Sequence, residues 1–224
     1  MKNAKIRLLI QVLLFFAPWF LRKQALKAFL GFQIGPGARI GFSVVGARVV
    51  QLDEGAVIGH LNIVTSLDVL RLGANSVIGN LNWISCASRG SFRDDAEFSD
   101  RSLLLGAHAA ITNRHLFDCS SRVEIGAFTT IAGWRSQFLT HSIDLRESRQ
   151  TLGPIAIGEY CFVGTASVVL KGAVLPDHSV LAAGAVLAKS FDLSWHLYGG
   201  VPAKPVQPID KADAYFTRSE GWVH

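Results

Sequence analysis

The stretch Ile157-Gly158-Glu159-Tyr160-Cys161-Phe162-Val163-Gly164-Thr165-Ala166-Ser167-Val168-Val169 sets an aliphatic residue at every sixth position, and the series continues through Leu175, Leu181 and Leu187. Glycine directly follows the first two, at Gly158 and Gly164. A helix repeats its apolar positions at about 3.6 residues and a half-buried strand at about 2, so neither alone gives this period. Short strands joined by tight corners do. Three of them make a triangular turn of about 18 residues, in which each inward residue stacks on its equivalent one turn above, Val163 beneath Leu181 for example.

The same ladder runs earlier through Ile34, Ile40, Gly46, Leu52, Ile58, Val64 and Leu70, slips by two, and resumes at Leu72, Ile78 and Ile84. A further stretch passes through Leu105, Ile111, Phe117 and Val123, slips again, and continues at Ile125 and Ile131. Each slip marks a bulge or corner loop. A single turn cannot bury its own apolar interior, so such a chain is stable only as a stack with capped ends.

The run from Ile157 to Val168 is similar to the hexapeptide-repeat acyltransferases, in particular the polysaccharide O-acetyltransferase type. Tyr198-Gly199-Gly200-Val201-Pro202-Ala203-Lys204 resembles that family's closing signature. The resemblance implies an all-β fold, a left-handed parallel β-helix over residues 32–207 with loops at 86–102 and 137–153. Residues 1–31 then form an apolar N-terminal helix and 208–224 a C-terminal tail. By analogy it also implies a homotrimer with sites in grooves between subunits.

Composition narrows the alternatives. Hydrophobic residues make up 50% of 224, enough for a large core, and a charged content of 17% argues against long disordered tracts. A formal charge of +5 would permit nucleic-acid binding. The chain nevertheless has no basic stripe interleaved with aromatics, no zinc-finger spacing and no recognition-helix pattern, so no nucleic-acid partner is expected. Cys86, Cys119 and Cys161 are an odd number without CxxC spacing, which indicates neither a disulfide framework nor a zinc knuckle and fits a reducing compartment. Cys119 and Cys161 fall where small packing residues are expected.

Near the N-terminus, residues 8–20 read LLIQVLLFFAPWF, interrupted by Gln11 and Pro18 and shorter than the ~20 residues of a spanning helix. Arg22, Lys23 and Gln24 follow where a signal peptide would have a small-residue cleavage site, so the segment is expected to be retained. Two readings stand together. One is a monotopic anchor kinked at Pro18, with Trp19 and Phe20 at the lipid interface, held to the cytoplasmic face of a bacterial membrane by Lys2, Lys5, Arg7, Arg22, Lys23 and Lys27. The other is a helix that caps the first coil or meets another subunit.

The repeat breaks between Ile131 and Ile157 at a polar excursion that contains Thr140-His141 and precedes Gly153-Pro154. Excursions from rigid scaffolds often carry function. This one resembles the family's Thr-His segment, which makes His141 the expected base. Transfer of an acyl group from a thioester to a sugar hydroxyl removes a proton from the attacking oxygen, and an imidazole titrating near 6.5 suits that task. The same ring can return the proton to the leaving thiolate, while Asp144 or a backbone carbonyl fixes its tautomer.

Asn113-Arg114-His115, followed by Asp118, lies one turn earlier. Since 141 − 115 = 26, one coil and a small loop would bring His115 beneath His141, where Asn113 or His115 would orient the acceptor. The bland alternative is a corner histidine with its hydrogen bonds satisfied. Arg114 and Arg135 suit an acidic sugar or a phosphate. By resemblance, Thr165 and Ala183 would contact the pantetheine arm of coenzyme A, with Lys189 and Lys204 towards its phosphates. Residues 86–102, with Phe92 and Phe98, form a second interruption suited to a lid or acceptor-binding loop.

The expected activity is acetyl- or acyl-coenzyme-A-dependent O-acylation of a hydroxyl on a surface polysaccharide or lipid-linked glycan, by direct transfer and with no tightly bound cofactor. A nucleotide-sugar N-acyltransferase and a noncatalytic membrane-bound scaffold are the alternatives. No metal is expected, because a zinc enzyme on such a coil would need three histidines that His115 and His141 do not supply.

Overall fold

The computed structural model describes residues 4–87, 92, 100–221 and 223. Its body is a left-handed parallel β-helix whose three faces are built from strands of two to four residues or from halves of longer ones. Three inward columns fill it. One stacks Ile58, Ile78, Ile111, Ile131, Val163, Leu181 and Tyr198. A second stacks Ile34, Leu52, Leu72, Leu105, Ile125, Ile157 and Leu175. The third stacks Val45, Val64, Ile84, Phe117, Phe138, Val169 and Leu187. All are buried, and each such side chain contributes about 1.5–3 kcal/mol relative to exposure.

Val163 lies beneath Leu181 as the spacing predicts, 181 − 163 = 18 residues on. Gly46 departs from the ladder. Val45 takes the inward position, and the register shifts between Gly46 and Ala47. A Cβ on Gly46 would come within 2.9 Å of the Val64 carbonyl oxygen, so glycine serves here for close approach of the coils. Gly164 has the same role against the Ala183 backbone, whereas Gly184 is required by its φ of +70°.

Polar residues tie successive coils at the corners. Ser43, Asn62, Asn82, His115 and Ser136 form a buried ladder: Ser43 Oγ accepts from the Asn62 amide, Asn62 Oδ1 from that of Asn82, Asn82 Oδ1 from that of His115 and His115 Nδ1 from that of Ser136. A second corner stacks the rings of His108, Phe128, Tyr160, His178 and Trp195 at centroid spacings of 4.7, 4.6, 5.3 and 4.2 Å. The C-terminal stretch, expected as a tail, returns along this aromatic corner. Tyr215 Oη donates to the Cys161 carbonyl, Tyr160 Oη donates to that of Arg218, and Phe216 packs edge-on to Trp195.

At the other end, helices Ala4–Leu13 (α1) and Trp19–Leu30 (α2), joined through Leu14–Phe16 and Pro18, close the first coil. Gln11, the polar residue inside the apolar run, is buried and pairs through both amide atoms with the Val45 backbone, at 2.8 and 3.0 Å. Arg7 donates to Ala47 O, Arg22 to Ile40 O and Gly41 O, and Lys23 to Gly35 O. These side chains satisfy the open edge that a solenoid otherwise leaves to solvent. Among the described residues no helix is long and apolar enough to cross a membrane.

Candidate active site

His141 begins an antiparallel hairpin, His141–Asp144 with Arg149–Leu152, that leaves the coil directly after Gln137–Leu139. The excursion expected over 137–153 therefore starts later, because Gln137, Phe138 and Leu139 pair in register with Val168, Val169 and Leu170 above them. Exposed Ile143 and Leu145 mark the outer part of this hairpin.

Beneath His141 on the preceding coil stands Asp118. The register Asp118↔Leu139 carries its carboxylate to the turn that follows, where Oδ2 accepts from His141 Nδ1 at 2.6 Å, from the His141 amide at 3.1 Å and from the Thr140 amide at 2.9 Å. The Thr140 hydroxyl also donates to Oδ2, and the Ser120 hydroxyl and amide donate to Oδ1. Burial would raise the Asp118 carboxyl, but hydrogen bonds from His141, Ser120 and Thr140 outweigh it and hold the group below its ordinary value. The aspartate is therefore an anion that accepts a hydrogen bond from Nδ1–H, which fixes the tautomer and leaves Nε2 as the basic nitrogen. The hydrogen bond to Asp118 raises the His141 pKa, against a smaller opposing effect of burial. No described residue bonds Nε2, and the side chain is 36% exposed.

Asp144 does not orient the ring. Its Oδ1 accepts from the Arg146 and Glu147 amides and closes the hairpin turn. His115 is likewise not beneath His141. It underlies Ser136, at the opposite end of the strand that carries Asp118, about 10 Å away at 3.3 Å per residue. Both ring nitrogens are engaged, Nδ1 by the Ser136 amide and Nε2 by Thr112 Oγ1 at 2.9 Å. Burial pulls its pKa down to about 4, so it stays neutral. Asn113 is similarly committed, since its Oδ1 accepts from the Asn80 amide and side chain across the coils. These two residues belong to the corners.

The coenzyme candidates divide. Thr165 and Ala183 share the corner before the strand Val168–Leu170, one strand away from the His141 corner, and Lys204, paired with Gly199 on the final hairpin, stands at the same end of that strand face. The Thr165 hydroxyl and carbonyl are occupied by Trp134 and Gly184. Lys189 lies beyond Leu187, on the His141 side, with Nζ 5.1 Å from the Phe191 ring centroid. A single chain thus does not bring Thr165, Ala183 and Lys204 to the His141 corner. Arg114 lies over the Trp134 ring at 5.0 Å.

Two features escaped the sequence reading. The sequence marks Asp118 only as a neighbour of His115; its place one coil below Thr140-His141 follows from the strand register, Asp118 opposite Leu139. Phe92, from the 86–102 interruption, reaches the site and meets the His141 ring edge-on at 6.2 Å, itself only 8% exposed. Phe98 and its neighbours lie outside the described residues. The thiols are not nucleophiles: burial drives Cys86 and Cys161 up to about 12 and raises Cys119 well above its ordinary value. Among the described residues no cluster of His, Cys, Asp or Glu could hold a metal ion.

No protein-family model matches the chain, and no curated protein matches its sequence. Solved structures do. An N-acyltransferase from Bacillus cereus, AntD, in complex with dTDP-4-amino-4,6-dideoxyglucose and coenzyme A, superposes with a TM-score of 0.58 at 15% identity over 84% of this chain and 89% of that one. A hexapeptide-repeat acetyltransferase from Vibrio cholerae, complexed with acetyl coenzyme A, gives 0.50 at 17% identity over 92% and 87%. The chain therefore has the left-handed β-helical fold of the hexapeptide-repeat acetyltransferases.

Proposed function

We propose that this protein is an acyl-coenzyme-A-dependent O-acyltransferase, with acetyl-coenzyme A as donor and a sugar hydroxyl of a surface polysaccharide or lipid-linked glycan as acceptor. One observation carries the reading: a half-exposed imidazole whose Nδ1 is held at 2.6 Å by an anionic carboxylate and whose Nε2 meets no described residue. That is the arrangement of a general base awaiting a substrate proton. Nε2 takes the proton as the acceptor oxygen bonds to the thioester carbonyl carbon. The carbon–sulfur bond then breaks, and the thiolate leaves with the proton returned by the imidazolium. Asp118 stabilises that transient cation and fixes the ring.

The reading includes a homotrimer. Ile63, Trp83 and Leu116 form an exposed apolar row up one face, and covering it would favour association. It assigns the reaction to the cytoplasmic side of the membrane, where the thioester is available. A second reading, N-acylation of an amino sugar, draws on the amino-sugar nucleotide bound by AntD. Release of coenzyme A from acetyl-coenzyme A, followed over matched hydroxyl and amino acceptors, separates them. Turnover on hydroxyl acceptors supports the first, turnover confined to amines replaces it with the second, and none on either rejects both.

A further inference from the structure

The inward side of the helix pair α1–α2 is fully used: Gln11, Arg7, Arg22 and Lys23 bond the first coil, and Leu26 and Leu30 enter its core. Apart from Gln24 and Lys27, the exposed large side chains of the two helices are apolar. Leu9 is 58% exposed, Leu13 67%, Phe16 95% and Phe20 67%, and no described part of the chain covers them. Large aromatic and aliphatic side chains left this bare at the end of a rod mark a contact surface rather than a surface at rest in water.

Charge says what the contact is. The first 52 residues carry Lys2, Lys5, Arg7, Arg22, Lys23, Lys27, Arg39 and Arg48 and no acidic residue, a formal +8. All 17 acidic residues lie from Asp53 onward against the remaining 14 basic ones, a formal 14 − 17 = −3. Among the described side chains Arg7, Arg22, Lys23, Lys27, Arg39 and Arg48 gather this positive charge on the helix pair and the first coil, at the apolar end of the rod. A second copy meeting this face would press two such positive ends together, whereas an anionic bilayer attracts that end and takes up the apolar side chains.

We infer that the outward face of α1 and α2, through Leu9, Leu13, Phe16 and Phe20, docks the protein on an anionic lipid surface with the β-helix standing away from it. The register fixes the height of the site. Val45, beside α1, leads through Val64, Ile84 and Phe117 to Phe138, four coil steps, or about 19 Å at 4.8 Å per step. With the ~10 Å helix layer, His141 stands roughly 20–30 Å above the surface. One consequence rests on the acyltransferase reading: an acceptor anchored in the same bilayer must present its hydroxyl at that height, which suits a short glycan and not a lipid headgroup.

Cosedimentation of the full chain with vesicles tests the inference without any acyl transfer. Wild type is expected to sediment with phosphatidylglycerol–phosphatidylethanolamine vesicles, at least tenfold more weakly with phosphatidylcholine, and to be released by high salt. The exposed double variant F16S/F20S should lose at least tenfold in anionic-vesicle binding with an unchanged thermal midpoint, while H141A should bind as wild type does. Wild type left in the supernatant, equal binding by F16S/F20S, or a smaller oligomer from F16S/F20S with vesicle binding intact would each overturn it. Failure of catalysis with binding preserved would count against the acyltransferase reading alone.

Discussion

Asp118 holds His141 from one coil below, carboxylate oxygen to Nδ1 at 2.6 Å across 23 residues of sequence. The pairing depends on two neighbouring strands in register, Asp118 opposite Leu139, so the solenoid's stacking sets the geometry of its candidate base. Removing the carboxylate therefore has a kinetic signature. In D118N the activity should fall by at least about 10²-fold and up to ~10⁴-fold, the size of the loss when the carboxylate that fixes a catalytic histidine's tautomer becomes an amide. Because Asp118 raises the His141 pKa, and the base works unprotonated, the acidic limb of the pH–rate profile should move to lower pH in D118N. An unmoved limb would separate that limb from His141.

The same pair leaves a mark on stability. Asp118, held below its ordinary value, contributes stability above the unfolded carboxyl range that is lost as pH falls through its folded value. His141, raised, contributes most below its unfolded value near 6.5 and loses that contribution as pH rises through its folded value. Unfolding midpoints of wild type and H141A should lie closer together as pH rises through the folded His141 value, the remaining gap being the hydrogen bond from the neutral ring to Asp118.

His115 should behave oppositely to His141. With its folded pKa down at about 4, the unfolded chain binds a proton between that value and about 6.5 while the folded chain does not, so stability drops as pH falls through this window. The loss is on the order of 3 kcal/mol at about 1.4 kcal/mol per pH unit. His115→Ala leaves the Ser136 amide unpaired and should cost about 1–3 kcal/mol, with residual activity in the folded fraction. A full loss of turnover by stable H115A would return this residue to the active site.

Gln11→Leu removes both bonds to Val45 and strands its amide and carbonyl at the first coil's edge. A destabilisation of about 1–3 kcal/mol is expected, although leucine is the more hydrophobic residue in an apolar helix. Urea unfolding that shows Q11L as stable as wild type would mean that the helices do not cap the coil.

How much of this was legible follows from what each feature depends on. The three columns were readable because burial repeats with the coil, and Ile157, Val163, Val169 and Leu175 carry that period openly. Gly46 misled because a bulge moves the inward position by one residue without changing the spacing around it. His141 could be singled out from Thr140-His141 at a break in the repeat. Its partner could not, since which residue of the coil below meets it depends on how many residues each corner absorbs. The same uncertainty put His115 beneath His141 rather than beneath Ser136. Gln11 looked like an imperfection in an apolar run, when the unpaired backbone of a solenoid end requires such a residue.

The claim that His141 Nε2 is the base that accepts the acceptor's proton is tested most directly by turnover and coenzyme binding in the same His141→Ala preparation. The account predicts acetyl-coenzyme A affinity within about threefold of wild type and acyl transfer reduced by at least ~10²-fold, the contribution expected of a positioned base. H141A transferring acyl groups at the wild-type rate, with its affinity unchanged, would contradict it.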